Sequence, residues 1–331
     1  MEPAVIELSK LTKRYGEFTA VNALDLAIRP GEIYGLLGPN GAGKTTTILM
    51  MLGLTEPTSG TVRVCGIDAT RSPLLVKRRV GYMPDDIGFY EDRTALDNLI
   101  YTAQLNRIPL PEARARAELL LNQVGLAHAA GKRVGAFSRG MRQRLGLADV
   151  LIKRPEIIIL DEPTLGIDPE GVRELLLLIR ELSQSEGLTV LLSSHHLHQV
   201  QQICDRVGLF VGGKLIASGD IASLSRQLDG DTTFEVEVDV RDPDGSVSER
   251  LGRLDGVLSV EAAASDALAV SGTGSIATYR VTSAVELTSA LALAVVEHGA
   301  PLLGLRPVRA GLDDIYHSYF EGGAAHERLD G

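Results

Sequence analysis

Cysteine is nearly absent from this 331-residue chain. The two that occur, Cys65 and Cys204, stand far apart and match no metal-ligand spacing. They read as two reduced, part-buried thiols rather than as a disulfide framework or a metal site. Positive charge is also in short supply: 33 Lys and Arg face 43 Asp and Glu, a formal net charge of −10. A protein whose main partner is nucleic acid usually carries a basic face, and this balance argues against that class. Long apolar runs are missing as well. No stretch approaches the ~18 uninterrupted apolar residues of a membrane-spanning helix, so any work at a membrane has to go through a partner. The opening MEPAVIELSK has no charged stretch followed by an apolar run, and no secretory signal is expected. There is no solenoid-type repeat and no low-complexity tract.

What is present is enough for two folded domains. Hydrophobic residues make up 44% and charged residues 23%, which suits a sizeable core and not a largely disordered chain. Short β runs are expected at 4–9, 24–28, 32–37, 61–65 and 80–82. A glycine-rich turn at 38–46 leads into a helix over 44–53. From 94 to 152 apolar positions recur at three and four, which predicts mainly helix. The continuous apolar runs at 157–160 and 189–192 fit strands buried on both faces. Helices are expected at 169–186, with Pro169 in the first turn, and at 196–203. Gly212-Gly213, between VGLFV and KLIA, marks a two-residue hairpin. Strands alternating with helices imply a mainly parallel sheet with crossover helices. The composition shifts near 228–231. Beyond it FEVEVDV, SERLGRL, VLSVEA, ALAVS, AVELTSALALAVVEHG and PLLGLRPV spell a small α+β domain ending in a short helix.

The chemistry begins at Gly38-Pro39-Asn40-Gly41-Ala42-Gly43-Lys44-Thr45, a full match to G-x-x-x-x-G-K-[ST], followed by Thr46. Glycines let backbone N–H groups turn inward into a concave anion nest, and the next helix aims its N-terminus at the same phosphates. In that setting Lys44 reaches the β- and γ-phosphates and Thr45 offers its hydroxyl to Mg²⁺. A chance glycine-rich turn is the alternative, and the strand before and helix after the loop argue against it. Ile157-Ile158-Ile159-Leu160-Asp161-Glu162 is a buried strand ending in two acids. Asp161 suits the metal-holding carboxylate of a P-loop NTPase, and Glu162 can orient an attacking water.

Phe137-Ser138-Arg139-Gly140-Met141-Arg142-Gln143-Arg144, lying shortly before the Asp161 strand, resembles the signature segment of ABC-family ATPases. Ser138 is a good N-cap for the helix that follows, and a capped helix N-terminus attracts anions. The resemblance implies that Ser138, Arg139, Gly140 and Met141 meet the γ-phosphate held by an opposite subunit. It extends to further residues. Tyr15 in KRYG is similar to the aromatic that stacks on adenine. Leu165-Gly166-Ile167-Asp168 resembles the loop that crosses the dimer interface. Ser193-Ser194-His195 resembles the switch segment whose His contacts the γ-phosphate, while His196 and His198 read as helix-surface residues. Catalysis accordingly falls to Glu162, His195 and Lys44. The fold implied is the P-loop NTPase of ABC type over 1–228, a mixed sheet core plus a helical subdomain near 86–152, followed by the α+β domain over 229–331.

One position departs from the family pattern. Gly81-Tyr82-Met83-Pro84 is followed by Asp85, where the family usually has Gln. That loop normally helps ligate Mg²⁺ and relays the nucleotide state to the membrane subunit. A carboxylate remains a hard oxygen ligand but is shorter than Gln, anionic, and no hydrogen-bond donor. Asp85 is therefore carried as a third metal residue with Thr45 and Asp161, and Asp86 as a possible substitute.

The resemblance covers about residues 4–225. It implies ATP and Mg²⁺ as ligands, a second copy across the ATP sites, a separate membrane permease as partner, and a cytoplasmic place on the inner face of the membrane. The last hundred residues resemble the accessory domain of ABC-2-type exporter ATPases, with Leu312-Asp313-Asp314-Ile315-Tyr316 similar to a recurring terminal segment. Export is the expected direction. The ATPase of an importer is one alternative. A soluble, non-transport ABC ATPase is another, but the long coiled-coil insert of the repair type and the second P-loop of the translation type are both missing.

Overall fold

The computed structural model describes residues 3–220, 223–224, 234–242, 245–263 and 276–308. They form two compact units, one within 1–221 and one within 222–331.

In the first unit, β1 (Ile6–Tyr15) and β2 (Phe18–Ile28) make an antiparallel hairpin, and β3 (Ile33–Leu37) leads into α1 (Lys44–Met51). After β4 (Ser59–Val64), β5 (Ile67–Asp68), α2 (Pro73–Arg79) and β6 (Val80–Met83) comes a helical stretch. It holds α3 (Ala95–Leu105), α4 (Leu110–Gln123) and α5 (Arg139–Leu151), in the region where helical periodicity was expected. Then follow β7 (Ile157–Asp161), α6 (Pro169–Glu186), β8 (Thr189–Ser194), α7 (Leu197–Ile203), β9 (Arg206–Val211) and β10 (Lys214–Gly219).

Two sheets result. One is antiparallel, in the order β2-β1-β4-β5; the other has the order β10-β9-β3-β8-β7-β6. In the second, every pair from β9 to β6 is parallel, and only β10 runs against its neighbour. Strands β3, β7 and β8 are buried at every position, which is why they read as unbroken apolar runs rather than as alternating patterns. Helix α1 joins the core shared by both sheets: Ile48, Met50 and Met51 cluster with Ile6, Leu24 and Val62 on one side and Leu36, Ile159 and Leu191 on the other. Local signals set the ends of the longest helix. Asp168 caps α6 by accepting the Gly171 N–H at 3.1 Å, Pro169 opens it, and Gly187 closes it in the left-handed region at φ 65°. The β9–β10 hairpin turns on Gly212 and Gly213, both at positive φ, as its right-handed twist requires.

The structure also departs from the expectations. Strands β1 and β2 run well beyond 4–9 and 24–28. Each carries a non-glycine residue at positive φ, Lys10 (47°) and Ala23 (49°), next to shifts in register. These bulges break the alternation on which strand recognition depends. Helix α2 buries Val76 alone and so shows no apolar stripe. Helix α7 begins at Leu197, with His196 as its cap. Both cysteines are free, Cys204 buried and Cys65 partly so.

The second unit is a four-stranded antiparallel sheet in the order β12-β13-β11-β14, where β11 is Phe234–Arg241, β12 Val257–Ala263, β13 Ile276–Ser283 and β14 Leu302–Val308. Helices Ser246–Gly252 and Thr288–Glu297 join β11 to β12 and β13 to β14. This is the split βαβ arrangement of ferredoxin-like units. Val236, Val238, Val240, Tyr279 and Val281 from the sheet pack with Val247, Leu251, Leu291 and Val295 from the helices. Strand β13 was not expected. The run ALAVS and the terminal segment 312–316 lie outside the described residues.

Candidate functional site

The strand register decides which side chains meet. Leu37 pairs with Ser194, and Ser193 with Asp161, so β3, β8 and β7 end level with one another. Their following segments, 38–44, 195–196 and 162–168, converge at the carboxyl edge of the parallel sheet, where open α/β sheets bind ligands.

The loop 38–44 is held by its backbone. The Gly38 N–H donates to Ser194 O at 3.2 Å, and Gly213 N–H to Ala42 O at 3.0 Å. Two glycines here are obligatory. A Cβ on Gly43, at φ 103°, would fall 2.3 Å from the Ala20 carbonyl oxygen, and one on Gly38 would fall 2.2 Å from that of Phe210. Gly43 is also the N-cap of α1 and supplies no side chain, so the first N–H groups of the helix stay open to an anion.

Lys44 is enclosed, with its side chain only 6% exposed. Its ammonium donates to Gly38 O at 2.6 Å and Pro39 O at 3.2 Å, and lies 3.3 Å from Glu162 Oε1. The other oxygen of Glu162 is 2.9 Å from His195 Nδ1. Glu162 itself stands at φ 49°, a strained backbone for a residue with a side chain, and its N–H donates to Ser193 Oγ at 3.0 Å. Ser193 in turn donates to Asp161 Oδ1 at 2.5 Å. Burial pushes the Asp161 carboxyl above its ordinary value; hydrogen bonds from Ser193 and Thr45 act against that, and the Asp85 and Glu162 charges add to it. Lys44, Thr45, Asp161, Glu162 and His195 thus form one connected cluster.

Other expected residues stand elsewhere. Tyr15, half exposed, pairs with Phe18 at the turn of the β1–β2 hairpin, and Lys13 Nζ lies 4.9 Å from its ring centre. The same hairpin reaches the loop through Ala20. Ser138 caps α5, its Oγ accepting the Met141 N–H at 3.3 Å, and Gly140 lies in the first turn of that helix. Asp168 likewise makes its hydrogen bond to its own helix. The Asp85 carboxylate accepts the Asp86 N–H at 2.9 Å. Pro39 is half-buried; Asn40, Gly41 and Thr45 are exposed, and Ala42 is buried. His196 and His198 are exposed, and the His196 ring centre lies 3.9 Å from that of His195.

Sequence reasoning missed three partners. Gln199 Oε1 accepts from Thr164 Oγ1 at 2.5 Å and from Ser194 Oγ at 3.3 Å, tying the segments after β7 and β8 together. Ser193 was seen only as part of the His195 segment, not as the bridge from Asp161 to Glu162. The Arg139 side chain turns toward two loop carbonyls. No motif at fixed spacing announces these contacts.

A glycine-rich loop between a buried strand and a helix, with a lysine, two acids and a histidine gathered at the carboxyl edge of the sheet, defines a P-loop nucleotide-binding protein. The sequence model described as "ABC transporter" matches residues 21–165. The bacitracin transport ATP-binding protein BcrA of Bacillus licheniformis is 43% identical over 212 residues, covering 64% of this chain and 68% of the relative. The linearmycin resistance ATP-binding protein LnrL of Bacillus subtilis (strain 168) is 36% identical over 234 residues, covering 71% and 75%. Among solved structures, cbiO1 of Clostridium perfringens, part of the ABC transporter complex cbiONQ, superposes with a TM-score of 0.63 at 25% identity, over 69% of this chain and 95% of that one. The chain belongs to the ABC transporter family, as an ATP-binding, ATP-hydrolysing subunit.

Proposed function

We propose that two copies of this chain close on two ATP molecules and so power a separate membrane permease, in the direction of export. The observation that carries the catalytic half is the convergence of Lys44, Asp161, Glu162 and His195 within one chain. Residues 38–46 bind the phosphates, with Lys44 on the β- and γ-phosphates. Tyr15 supports the adenine. Glu162 orients water and takes its proton as the water oxygen bonds to the γ-phosphorus. The bond from that phosphorus to the β–γ bridging oxygen breaks, leaving ADP and phosphate. His195 holds Glu162 and contacts the γ-phosphate.

The second copy enters because Ser138 and Asp168 use their side chains to cap their own helices, and no hydrogen bond among the described residues joins those side chains to the 38–44 loop. The open N-terminus of α5, with Ser138, the Arg139 backbone, Gly140 and Met141, suits the γ-phosphate of a neighbouring chain. The domain division near 228, with an accessory role for the second unit, belongs to the same reading.

The donor set fits Mg²⁺. The Thr45 hydroxyl and Asp161 carboxylate are hard oxygen ligands, and Mg²⁺ typically takes one or two carboxylates plus substrate phosphates. Asp85 is the third residue proposed to hold it. When bound, Mg²⁺ neutralises phosphate charge.

No helix among the described residues is long and apolar enough to cross a membrane. The reading places the chain on the cytoplasmic face through a permease, as an ATP-binding subunit like the bacitracin transport and linearmycin resistance relatives, and takes export as its direction. The test is Glu162→Gln. The variant should bind ATP, lose steady turnover and sediment as a dimer in ATP. Turnover at the wild-type rate would remove Glu162 from its role, and a monomer in saturating ATP would sink the paired site.

A further inference from the structure

Arg139 is the first residue of α5, directly after the Ser138 cap. A cation there opposes the helix dipole, so the helix itself gives no reason for it. Its side chain leaves the helix instead. Nε donates to Leu165 O at 2.7 Å, and Nη2 donates to Asp85 O at 3.3 Å. Leu165 closes the turn that begins at Glu162, its N–H donating to Glu162 O at 3.1 Å. Gly166 makes room for the arginine. It sits at φ 73°, and a Cβ there would lie 3.0 Å from Arg139 Nε and 3.1 Å from Cδ.

We infer that Arg139 is a positioning residue for ATP hydrolysis: its guanidinium pins the Glu162–Leu165 turn and the Asp85 loop to the N-terminus of α5. The planar fork spans two carbonyls at once, which a lysine ammonium on a flexible stem does not reproduce. The strained backbone at Glu162 gives the pin its purpose, since a turn held against its own preference drifts when an outside contact is lost. Movement of α5 toward or away from a neighbouring chain then reaches Glu162 directly. The inference rests on the assignment of Glu162 as the carboxylate that orients water.

The test is steady-state ATPase kinetics on the full chain for Arg139→Ala, Arg139→Lys, Gly166→Ala and the Arg139→Ala/Gly166→Ala pair, with Glu162→Gln as control. Misplacing a catalytic group costs about tenfold to a hundredfold in rate. Arg139→Ala should lower kcat by about that factor with KM for ATP within about threefold and the thermal midpoint unchanged. Arg139→Lys should recover part of the loss. Gly166→Ala should reproduce it, and the pair should be no worse than the worse single variant, because both break one contact. Wild-type kcat in Arg139→Ala overturns the inference. So does a loss confined to KM, which would mark a direct phosphate contact, and so do losses that multiply in the pair. Should Arg139→Ala fail to fold, Arg139→Lys carries the test, with an intermediate kcat supporting the inference and an unchanged one overturning it. Wild-type turnover in Glu162→Gln would sink the site assignment itself, whatever Arg139 does.

Discussion

His195 Nδ1 meets Glu162 Oε2 at 2.9 Å, and this contact leaves the second carboxylate oxygen of Glu162 facing Lys44. That oxygen, Oε1, is buried and accepts no hydrogen bond from the described residues; the Lys44 ammonium lies 3.3 Å from it. The imidazole fixes how the carboxylate is turned. His195→Ala should therefore lower kcat by about a hundredfold, in the range of a lost general acid–base partner, while nucleotide affinity changes by less than about threefold. Phosphate release and titration with a fluorescent nucleotide separate the two. A variant with unchanged turnover would show that Glu162 needs no such support.

Gly43→Ala tests the loop. The new Cβ would meet the Ala20 carbonyl at 2.3 Å in a backbone conformation that side chains rarely adopt. The loop has to shift, and its N–H groups shift with it. ATP affinity should fall by at least about tenfold, equivalent to roughly 1.4 kcal/mol of binding free energy. Isothermal titration with ATP reads this directly, and wild-type affinity would show that the loop tolerates the change.

Part of this architecture was legible in the sequence, and the legible part has a common cause. GPNGAGKT, IIILDE and the His195 segment are special residue types at fixed spacing, held at the ends of strands whose burial makes them unbroken apolar runs. Pro169 likewise marked the start of helix α6, while its Asp168 and Gly187 caps became visible only in the structure. The rest depends on tertiary contact. Lys10 and Ala23 bulge β1 and β2 and hide their length. The Ser193 bridge, the Gln199 link and the reach of Arg139 to Leu165 and Asp85 join segments that only the sheet register brings level. In the second unit, β13 alternates, with Tyr279, Val281 and Ser283 inward, and its IATYRVTS is rich in β-branched and aromatic residues, so this strand was legible and was missed.

Asp149 offers a pH test away from the ATP site. It lies on α5, largely buried, with a hydrogen bond to Thr102 and the Lys153 charge nearby; burial pushes its carboxyl up to about 6. The folded state thus holds this proton more tightly than the unfolded state. Its contribution to stability is greatest below about pH 4, falls as pH rises through about 6, and is unfavourable at neutral pH. Asp149→Asn should be more stable than the wild type at pH 8, by about 1–3 kcal/mol, and no more stable at pH 4. Thermal melts across pH 4 to 8 check the crossing, and a difference independent of pH would refute the buried, protonatable carboxyl.

Ser138 is asked to do two things, and one substitution separates them. As the N-cap of α5 its Oγ accepts the Met141 N–H, and losing such a cap costs about 1 kcal/mol. As part of a phosphate surface for a neighbouring chain, it should also matter to ATP-driven pairing. Ser138→Ala is expected to lower the thermal midpoint by a few degrees without ATP. In the Glu162→Gln background it should further weaken ATP-dependent dimerisation by about tenfold, beyond what the cap alone explains. Ser138→Asp keeps a capping oxygen but sets a negative charge against the incoming phosphate. Its midpoint should stay near the wild type while pairing is lost. Analytical ultracentrifugation with and without ATP measures both variants. If Ser138→Asp pairs as well as the parent, the N-terminus of α5 does not receive the neighbour's phosphate, and the two ATP sites are not shared between chains in this way.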